Sequence, residues 1–333
     1  MDKLVALILV LASFGFCMQV IQVSSGPELT TWKTRSDRHV ETTTAKIPTT
    51  PDRYIVTPKW SSNQQIILIT PTRQRPERMA DLTMLSQTLT HLQNIHWIVV
   101  EDGDATVPMV EQLLQRTNIP HTYLQSTNNG LPCRGWAHRN LALQYLRENR
   151  ANFAKYAVIY FADDDNGYDL RLFDNYVRQV WRVGIWAVGL PGFGLHGPVE
   201  APKVENSRVV GWLTAWRPER KFATDMAGFA VNLDLVLKSG ATFNLHCAGT
   251  MPEDCFLSQL NITMEQLEPF GYNEPKEILV WHRKTADSQF VDHSSFGYNF
   301  EQRLPKSKKC DQFYNIHDMD YETVEKIAKS ENL

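Results

Sequence analysis

Three aspartates stand side by side in the stretch YFADDDNGYDL, residues 160–170, directly after an apolar run. Carboxylates that close raise one another's pKa, and a bound cation relieves the repulsion. Asp163, Asp164 and Asp165 are therefore candidates for a divalent-metal site, with an acidic surface loop as the alternative. A calcium-binding helix–loop–helix does not fit. With Gly167 at its sixth position, the first ligand would be Ala162 and the twelfth Phe173. A magnesium- or manganese-type site fits better, built from one or two carboxylates, waters and the phosphates of a substrate. No Walker-type phosphate loop occurs, so the cation itself would have to manage those phosphates.

Such a loop needs a strand that ends where it begins, and the pattern upstream supplies several. Gln65–Thr70, His96–Val100, His121–Leu124 and Ala157–Phe161 are expected as strands. Helices are expected over Glu77–Thr90, near Pro108–Arg116 and over Trp136–Glu148, the first from Leu82, Leu85, Leu89 and Leu92 at helical spacing. Strands alternating with helices predict an α/β fold, a mostly parallel sheet with helices on both faces. Ligands bind beyond the carboxyl ends of such strands. Pro71, Thr72 and Arg73 follow the first strand, Glu101 and Asp102 the second, and the aspartates the fourth. All are expected on one edge of the sheet. Taken alone, Asp102 in Glu-Asp-Gly-Asp reads as a turn residue.

The rest of the chain sets the context. Its 333 residues are 43% hydrophobic and 21% charged, with net charge −3. That composition suits a large domain or two packed subdomains and gives no basic stripe for nucleic acid. Residues 1–3 precede an uncharged apolar segment, 4–23, long enough to cross a bilayer. It is expected to be an uncleaved anchor with Lys3 on the cytosolic side, the alternative being a signal peptide cleaved near Ser24-Ser25-Gly26. Residues 24–62 are Thr-rich, carry Pro27, Pro48, Pro51 and Pro58, and read as an extended stem. Anchor, stem and globular body suit a single-pass protein working in a secretory lumen, where the sequon at Asn261 could be glycosylated. Cys17 lies in the apolar segment. Cys133, Cys247, Cys255 and Cys310 remain, and they allow two disulfides in three connectivities.

Six strings, VVED, CRGWAHRN, VIYFADDDN, TDMAGFAVN, PEDCFLSQL and ILVWHRKT, occur in this order behind the anchor and stem. Over about residues 65–285 the chain thereby resembles the β1,3-glucuronosyltransferases, Golgi type II membrane enzymes that add glucuronate to galactose-ended glycans. The resemblance implies a GT-A-like nucleotide-sugar transferase fold with a UDP-sugar-binding subdomain over 63–165 and an acceptor-binding subdomain with a C-terminal tail over 166–333. It implies Mn²⁺ on Asp165, bridging the phosphates of UDP-glucuronate, with Asp163 and Asp164 touching sugar and ribose. Pro71 and Asp102 match uridine-binding positions, Arg134 and Arg139 match donor-side arginines, and His282 and Lys284 match positions near the donor's phosphates. Arg220 and Asp225 match acceptor-binding positions, and Glu253 matches the catalytic base. It also implies a homodimer and a Golgi membrane location with the catalytic part in the lumen.

Each assignment has a physical counterpart in the residues themselves. A donor bearing a pyrophosphate and a carboxylate needs cationic forks as well as a metal. Thr250-Met251-Pro252-Glu253 has capping-box spacing, so Glu253 is also a candidate helix-start residue. The chain departs from the family's pattern in three places. Arg73 stands where a tyrosine often stacks on uracil, Lys284 where an arginine is usual, and His196 where a glutamate binds the acceptor. An inverting transfer to a galactose hydroxyl is the expected reaction. A catalytically inactive glycan-binding relative, or a transferase with another acceptor, is the alternative.

Overall fold

Ile66, Ile67, Leu68 and Ile69 are all fully buried, which requires strand β1 (Ile66–Thr72) to be covered on both faces. The computed structural model describes residues 63–132, 135–191, 197–247, 251–283 and 296–297. The anchor segment 4–23, the stem 24–62, and with them Cys17, Cys133, Arg134, His196, Lys284, Thr250 and Cys310, lie outside the described residues. Among the described residues no helix is long and apolar enough to cross a membrane.

β1 lies in parallel register with β2 (Ile95–Asp102) on one side and β4 (Val158–Phe161) on the other, and β2 carries β3 (His121–Ser126), also parallel. Beyond β4 the sheet continues through β10 (Phe229–Asn232), β6 (Val183–Ile185) and β11 (Leu267–Pro269). The two pairings of β10 are antiparallel; the others in this seven-stranded sheet are parallel. Helices α1 (Arg78–Leu89), α2 (Pro108–Thr117) and α4 (Leu170–Asn175) bury Leu82, Leu85, Val110, Leu114 and Phe173 on the face of Ile66 and Leu68. Helices α3 (Trp136–Glu148), α5 (Leu233–Ser239) and α6 (Pro252–Ser258) bury Trp136, Leu143, Val236 and Phe256 on the face of Ile67 and Ile69. The mostly parallel sheet flanked by helices on both faces is therefore observed.

The carboxyl edge of the sheet is tied together by side chains. Thr70 Oγ1 donates to the Ala162 carbonyl at 2.6 Å and accepts from Trp97 Nε1 at 2.9 Å, joining β1, β2 and β4 just where their loops depart. One expectation fails here. Glu101 does not open onto that edge: it is buried, receiving Arg78 Nη1 at 2.5 Å and the Tyr123 hydroxyl at 2.6 Å. A buried carboxylate needs such partners, and they hold α1 and β3 to β2.

A second sheet brings the C-terminal part of the described chain to the same edge. It runs β5 (Gly167–Tyr168), β12 (Val280–Trp281), β7 (Val188–Gly189), β8 (Val199–Glu205) and β9 (Arg208–Leu213). β12 crosses here because Gly189 leaves room for the Trp281 ring; a Cβ on Gly189 would come 2.2 Å from Trp281 Cε3. The next residue, His282, donates its backbone N–H to the Gly189 carbonyl at 2.8 Å. Gly189→Ala is therefore expected to cost about 1–3 kcal/mol through overpacking and to lower the thermal midpoint by several degrees. An unchanged midpoint in a calorimetric scan would show that the ring does not rest there.

Candidate active site

The loops at this edge enclose a cavity of about 670 Å³. Pro71 and Arg73 enter it from the end of β1, Asp102 from β2, Arg139 from α3, and Asp163, Asp164 and Asp165 from the loop after β4. The later chain adds Arg220, Asp225, Glu253 and His282. Every sequence-predicted site residue within the described residues, apart from the glycosylation site, thus lines a common space. Arg134 and Lys284 lie outside the described residues. Asn261, the glycosylation candidate, is exposed and away from the cavity, in a left-handed backbone conformation with φ 51° after α6.

The three aspartates have different surroundings. Asp163 pairs with the Arg139 guanidinium, which emerges between the rings of Phe161 and Phe243, its central carbon 6.0 and 5.9 Å from their centroids. α3 can start close enough for this because Gly135 adopts φ 74°. A Cβ there would meet Arg139 Nη1 at 2.8 Å and Pro71 Cβ at 3.0 Å. Asp164 points back into the protein. Its Oδ2 accepts from Thr72 Oγ1 at 2.7 Å and from Arg75 Nη1 at 2.9 Å, and Arg75 also holds Asp81 at 2.9 Å. Burial still raises the Asp164 carboxyl above its ordinary range against the pull of these partners. Asp165 is the member whose carboxylate has no hydrogen bond or ion pair among the described residues. Burial first, then the charges of Asp163 and Asp164, push it up to about 6.

That isolated carboxylate is the arrangement a cation would relieve. Among the described residues no three His, Cys, Asp or Glu side chains gather as a ready-made cage. A divalent ion here would lean on Asp165 and complete its shell from outside the protein, as an ion that keeps waters and substrate phosphates does. Arg283 steadies the loop, with Nε donating to the Asp165 carbonyl at 3.2 Å and Nη2 pairing with Asp81 at 2.5 Å.

Asp225 and His282, 57 residues apart, form one unit. His282 Nδ1 donates to Asp225 Oδ2 at 2.6 Å, while Asp225 Oδ1 accepts from the Ala227 backbone N–H at 2.9 Å. The Ala227 carbonyl is in turn fixed by the Tyr160 hydroxyl and Trp186 Nε1, at 3.0 and 2.8 Å. Burial alone would lower the imidazole pKa, but the Asp225 charge and hydrogen bond outweigh it and hold His282 up at about 9. Burial would likewise raise Asp225, and the same partner keeps it below the ordinary carboxylate range.

Glu253 is 8% exposed, and its Oε2 has no partner among the described residues. It occupies the second position of α6, whose N-cap is Met251 without a side-chain cap. Thr250 lies outside the described residues; with Met251 at the cap, Glu253 stands one position short of the third helical residue that a capping box uses. Burial, and next the charge of Asp225, raise the Glu253 carboxyl to about 8. Its neighbour Asp254 faces elsewhere, accepting the Phe222 backbone N–H at 2.9 Å.

Several lining residues escaped the sequence reading. Glu200 on β8 is a buried carboxylate paired with Arg220 at 2.5 Å and bonded to Thr214 at 3.1 Å. His196, read as replacing an acceptor glutamate, lies outside the described residues, and Glu200 supplies a glutamate to the cavity. A lone Glu in the apolar run PVEAP was its available signal. Trp216, which carries the Arg217 guanidinium over its ring, also lines the space. So does His138, whose Nε2 donates to the Ser126 carbonyl at 2.9 Å and stands 3.4 Å from Asp102 Oδ1.

The family model for glycosyltransferase family 43 matches residues 85–286. The chain is 41% identical over 262 residues to galactosylgalactosylxylosylprotein 3-beta-glucuronosyltransferase 1 of Homo sapiens, covering 74% of this chain and 76% of that protein. It is 42% identical over 242 residues to the human 3-beta-glucuronosyltransferase 2, covering 69% and 72%. With the 3-beta-glucuronosyltransferase sqv-8 of Caenorhabditis elegans the identity is 41% over 243 residues, covering 69% and 66%.

Proposed function

This chain belongs to glycosyltransferase family 43, and on that premise we propose that it transfers glucuronate from UDP-glucuronate to a terminal galactose of a glycan, with inversion at the anomeric carbon and manganese as cofactor. The observation that supports this most is the pairing within one cavity of Asp165, a carboxylate without a hydrogen bond or ion pair among the described residues, with a second buried carboxylate, Glu253. The relatives' names, which specify 3-beta-glucuronosyl transfer to galactosylgalactosylxylosylproteins, support the donor, the linkage and the galactose acceptor.

Manganese on Asp165 would supply Lewis-acid neutralisation of the departing diphosphate. The chain's own residues do the rest. Asp102, steadied by His138, and the Arg73 plane receive the uridine. Arg139 and the protonated His282 place positive charge beside the diphosphate and the sugar carboxylate. Arg220, held by Glu200, and the Trp216 ring orient the acceptor sugar. Glu253 takes the proton from the attacking galactose hydroxyl as the bond to the anomeric carbon forms. A single displacement needs no enzyme nucleophile, and water must be kept from the reacting donor or it would be hydrolysed.

The experiment is acceptor-dependent UDP release with UDP-glucuronate and, in parallel, UDP-glucose, over a panel of galactosides with Mn²⁺ or excess chelator. Release is expected with UDP-glucuronate and a galactose-ended acceptor, and not with chelator. Glycan binding without release from either donor would favour the inactive relative. A pH series adds a second check. Because the protonated Glu253 carboxyl cannot accept a proton, kcat/KM is expected to fall as pH drops through about 8. A limb at the ordinary carboxylate value of 4.5 would contradict this.

We also propose a lumenal Golgi location, supported by the uncharged segment 4–23, the exposed Asn261 and a disulfide between Cys247 and Cys255, which suits an oxidising compartment. The chain should remain in the membrane pellet after alkaline carbonate washing. A mature N-terminus near Ser25 or Gly26 would mean a cleaved signal peptide instead.

A further inference from the structure

Glu253 depends on a short helix for its position. α6 has seven residues, and its N-cap Met251 contributes no side-chain hydrogen bond. Helices of that length do not persist by themselves in water, so tertiary contacts must hold the first turn. The Glu253 carboxylate does not hold it: among the described residues Oε2 is without a partner, and the hydrogen bond that lowers its pKa comes from its own backbone N–H. Wherever the first turn moves, the carboxylate moves with it.

Several contacts fix that turn to the body of the protein. Asp254 receives the Phe222 backbone N–H. Phe256 stacks on Phe243 with ring centroids 4.8 Å apart and planes 5° from parallel. Cys255 is joined to Cys247, which ends a 3₁₀ turn at Leu245–Cys247 and is fully buried. Gln259 closes the back of this link. Its Nε2 donates to the Thr242 carbonyl at 2.9 Å and lies 3.7 and 3.9 Å from the sulfurs of Cys255 and Cys247. Residues two apart on a helix do not face the same way. The covalent grip at Cys255 therefore acts on the side of the turn away from the cavity, while Glu253 projects into it.

We propose that the Cys247–Cys255 disulfide is a positioning element for the reaction, fixing the first turn of α6 so that the Glu253 carboxylate meets the acceptor hydroxyl. This rests on the reading of Glu253 as the general base. The link acts through geometry alone and takes no part in the transfer. Its loss should leave the donor-binding residues of β1, β2, α3 and the aspartate loop in place, because other partners hold them: Asp163 on Arg139, Asp164 on Thr72 and Arg75, and Asp102 beside His138. Catalysis and donor binding should accordingly separate.

The test compares the full chain as wild type, as Glu253→Gln, and as the double variant Cys247→Ala/Cys255→Ala. Steady-state kcat, KM for UDP-glucuronate and the pH dependence of kcat are measured with a galactoside acceptor. The double variant is expected to lose about 10–100-fold in kcat, the range that follows from small misplacements of a reacting group, with donor KM unchanged. The acid limb of its profile should move down in pH as Glu253 gains solvent. A merely stabilising disulfide would lower the melting temperature and leave both kcat and the limb in place, and that result overturns the inference. If the double variant does not fold, purified oxidised wild type is treated with dithiothreitol, which becomes oxidised as Cys247 and Cys255 become thiols. The thiols are mapped by mass spectrometry. Folded, reduced protein with undiminished kcat also overturns the inference. Glu253→Gln with normal turnover would sink the base reading and the inference together. Glu253→Gln inactive beside a fully active double variant would sink the inference alone.

Discussion

Asp165→Asn is expected to fold as the wild type does and to lose on the order of 10²–10³ in kcat or more, the scale on which removing a transition-state charge stabiliser acts. The reason lies in how the aspartate loop distributes its charges. Asp163 is committed to Arg139, and Asp164 to Thr72 and Arg75. Asp165 is pushed up to about 6 and, among the described residues, has no hydrogen bond or ion pair, so its charge is the one available to a metal. An amide keeps the shape and removes that charge. Asp164→Asn makes the contrast: it weakens the buried bridge between β1 and the loop, and its effect should appear in stability as well as in rate. Full activity in Asp165→Asn, or in wild type with excess chelator, would remove the metal from the account.

Glu253→Gln should have an effect at least as large, about 10²–10⁴ in rate, with the melting temperature nearly unchanged. A helix-start role would give the opposite pattern, a loss of about 0.5–2 kcal/mol in stability with little specific effect on rate. The structure already separates these two readings in part, since the cap position belongs to Met251 and Glu253 is buried facing the cavity. The variant should still bind UDP with Mn²⁺. Near-normal transfer would place the base elsewhere. Asp254 is a poor substitute, since it is occupied by the Phe222 backbone and turned from the cavity.

Much of this site could be read from residues near one another in the chain. Helix Trp136–Glu148 is found with the expected ends, because its apolar spacing is regular and Gly135 marks its start. β2 runs to Asp102 rather than ending at Val100. Glu101 and Asp102 resemble a turn in sequence, and only the partners Arg78 and Tyr123 explain a buried Glu101 inside a strand. β1 likewise continues through Pro71 and Thr72, pairing with β2 up to Glu101.

The second sheet was not legible for a different reason. β5, β7 and β12 have two residues each, too few for alternation to register. Contacts that join distant segments left no local trace either. Glu200 with Arg220, Asp225 with His282, and Arg283 with Asp81 are separated by 20, 57 and 202 residues. The cysteines allowed three pairings by arithmetic, and the fold selects Cys247 with Cys255 by bringing the 3₁₀ turn before α6 against its first turn.

The most direct test of the central claim is the proton NMR spectrum of the product formed from UDP-glucuronate, an N-acetyllactosamine acceptor and the full-length chain with Mn²⁺. A base-activated hydroxyl attacking the α-linked donor in one displacement should give a new β-anomeric glucuronate signal, with the linkage at O3 of the terminal galactose. An α-linked product, or UDP and free glucuronate with no new glycosidic bond, would contradict the account.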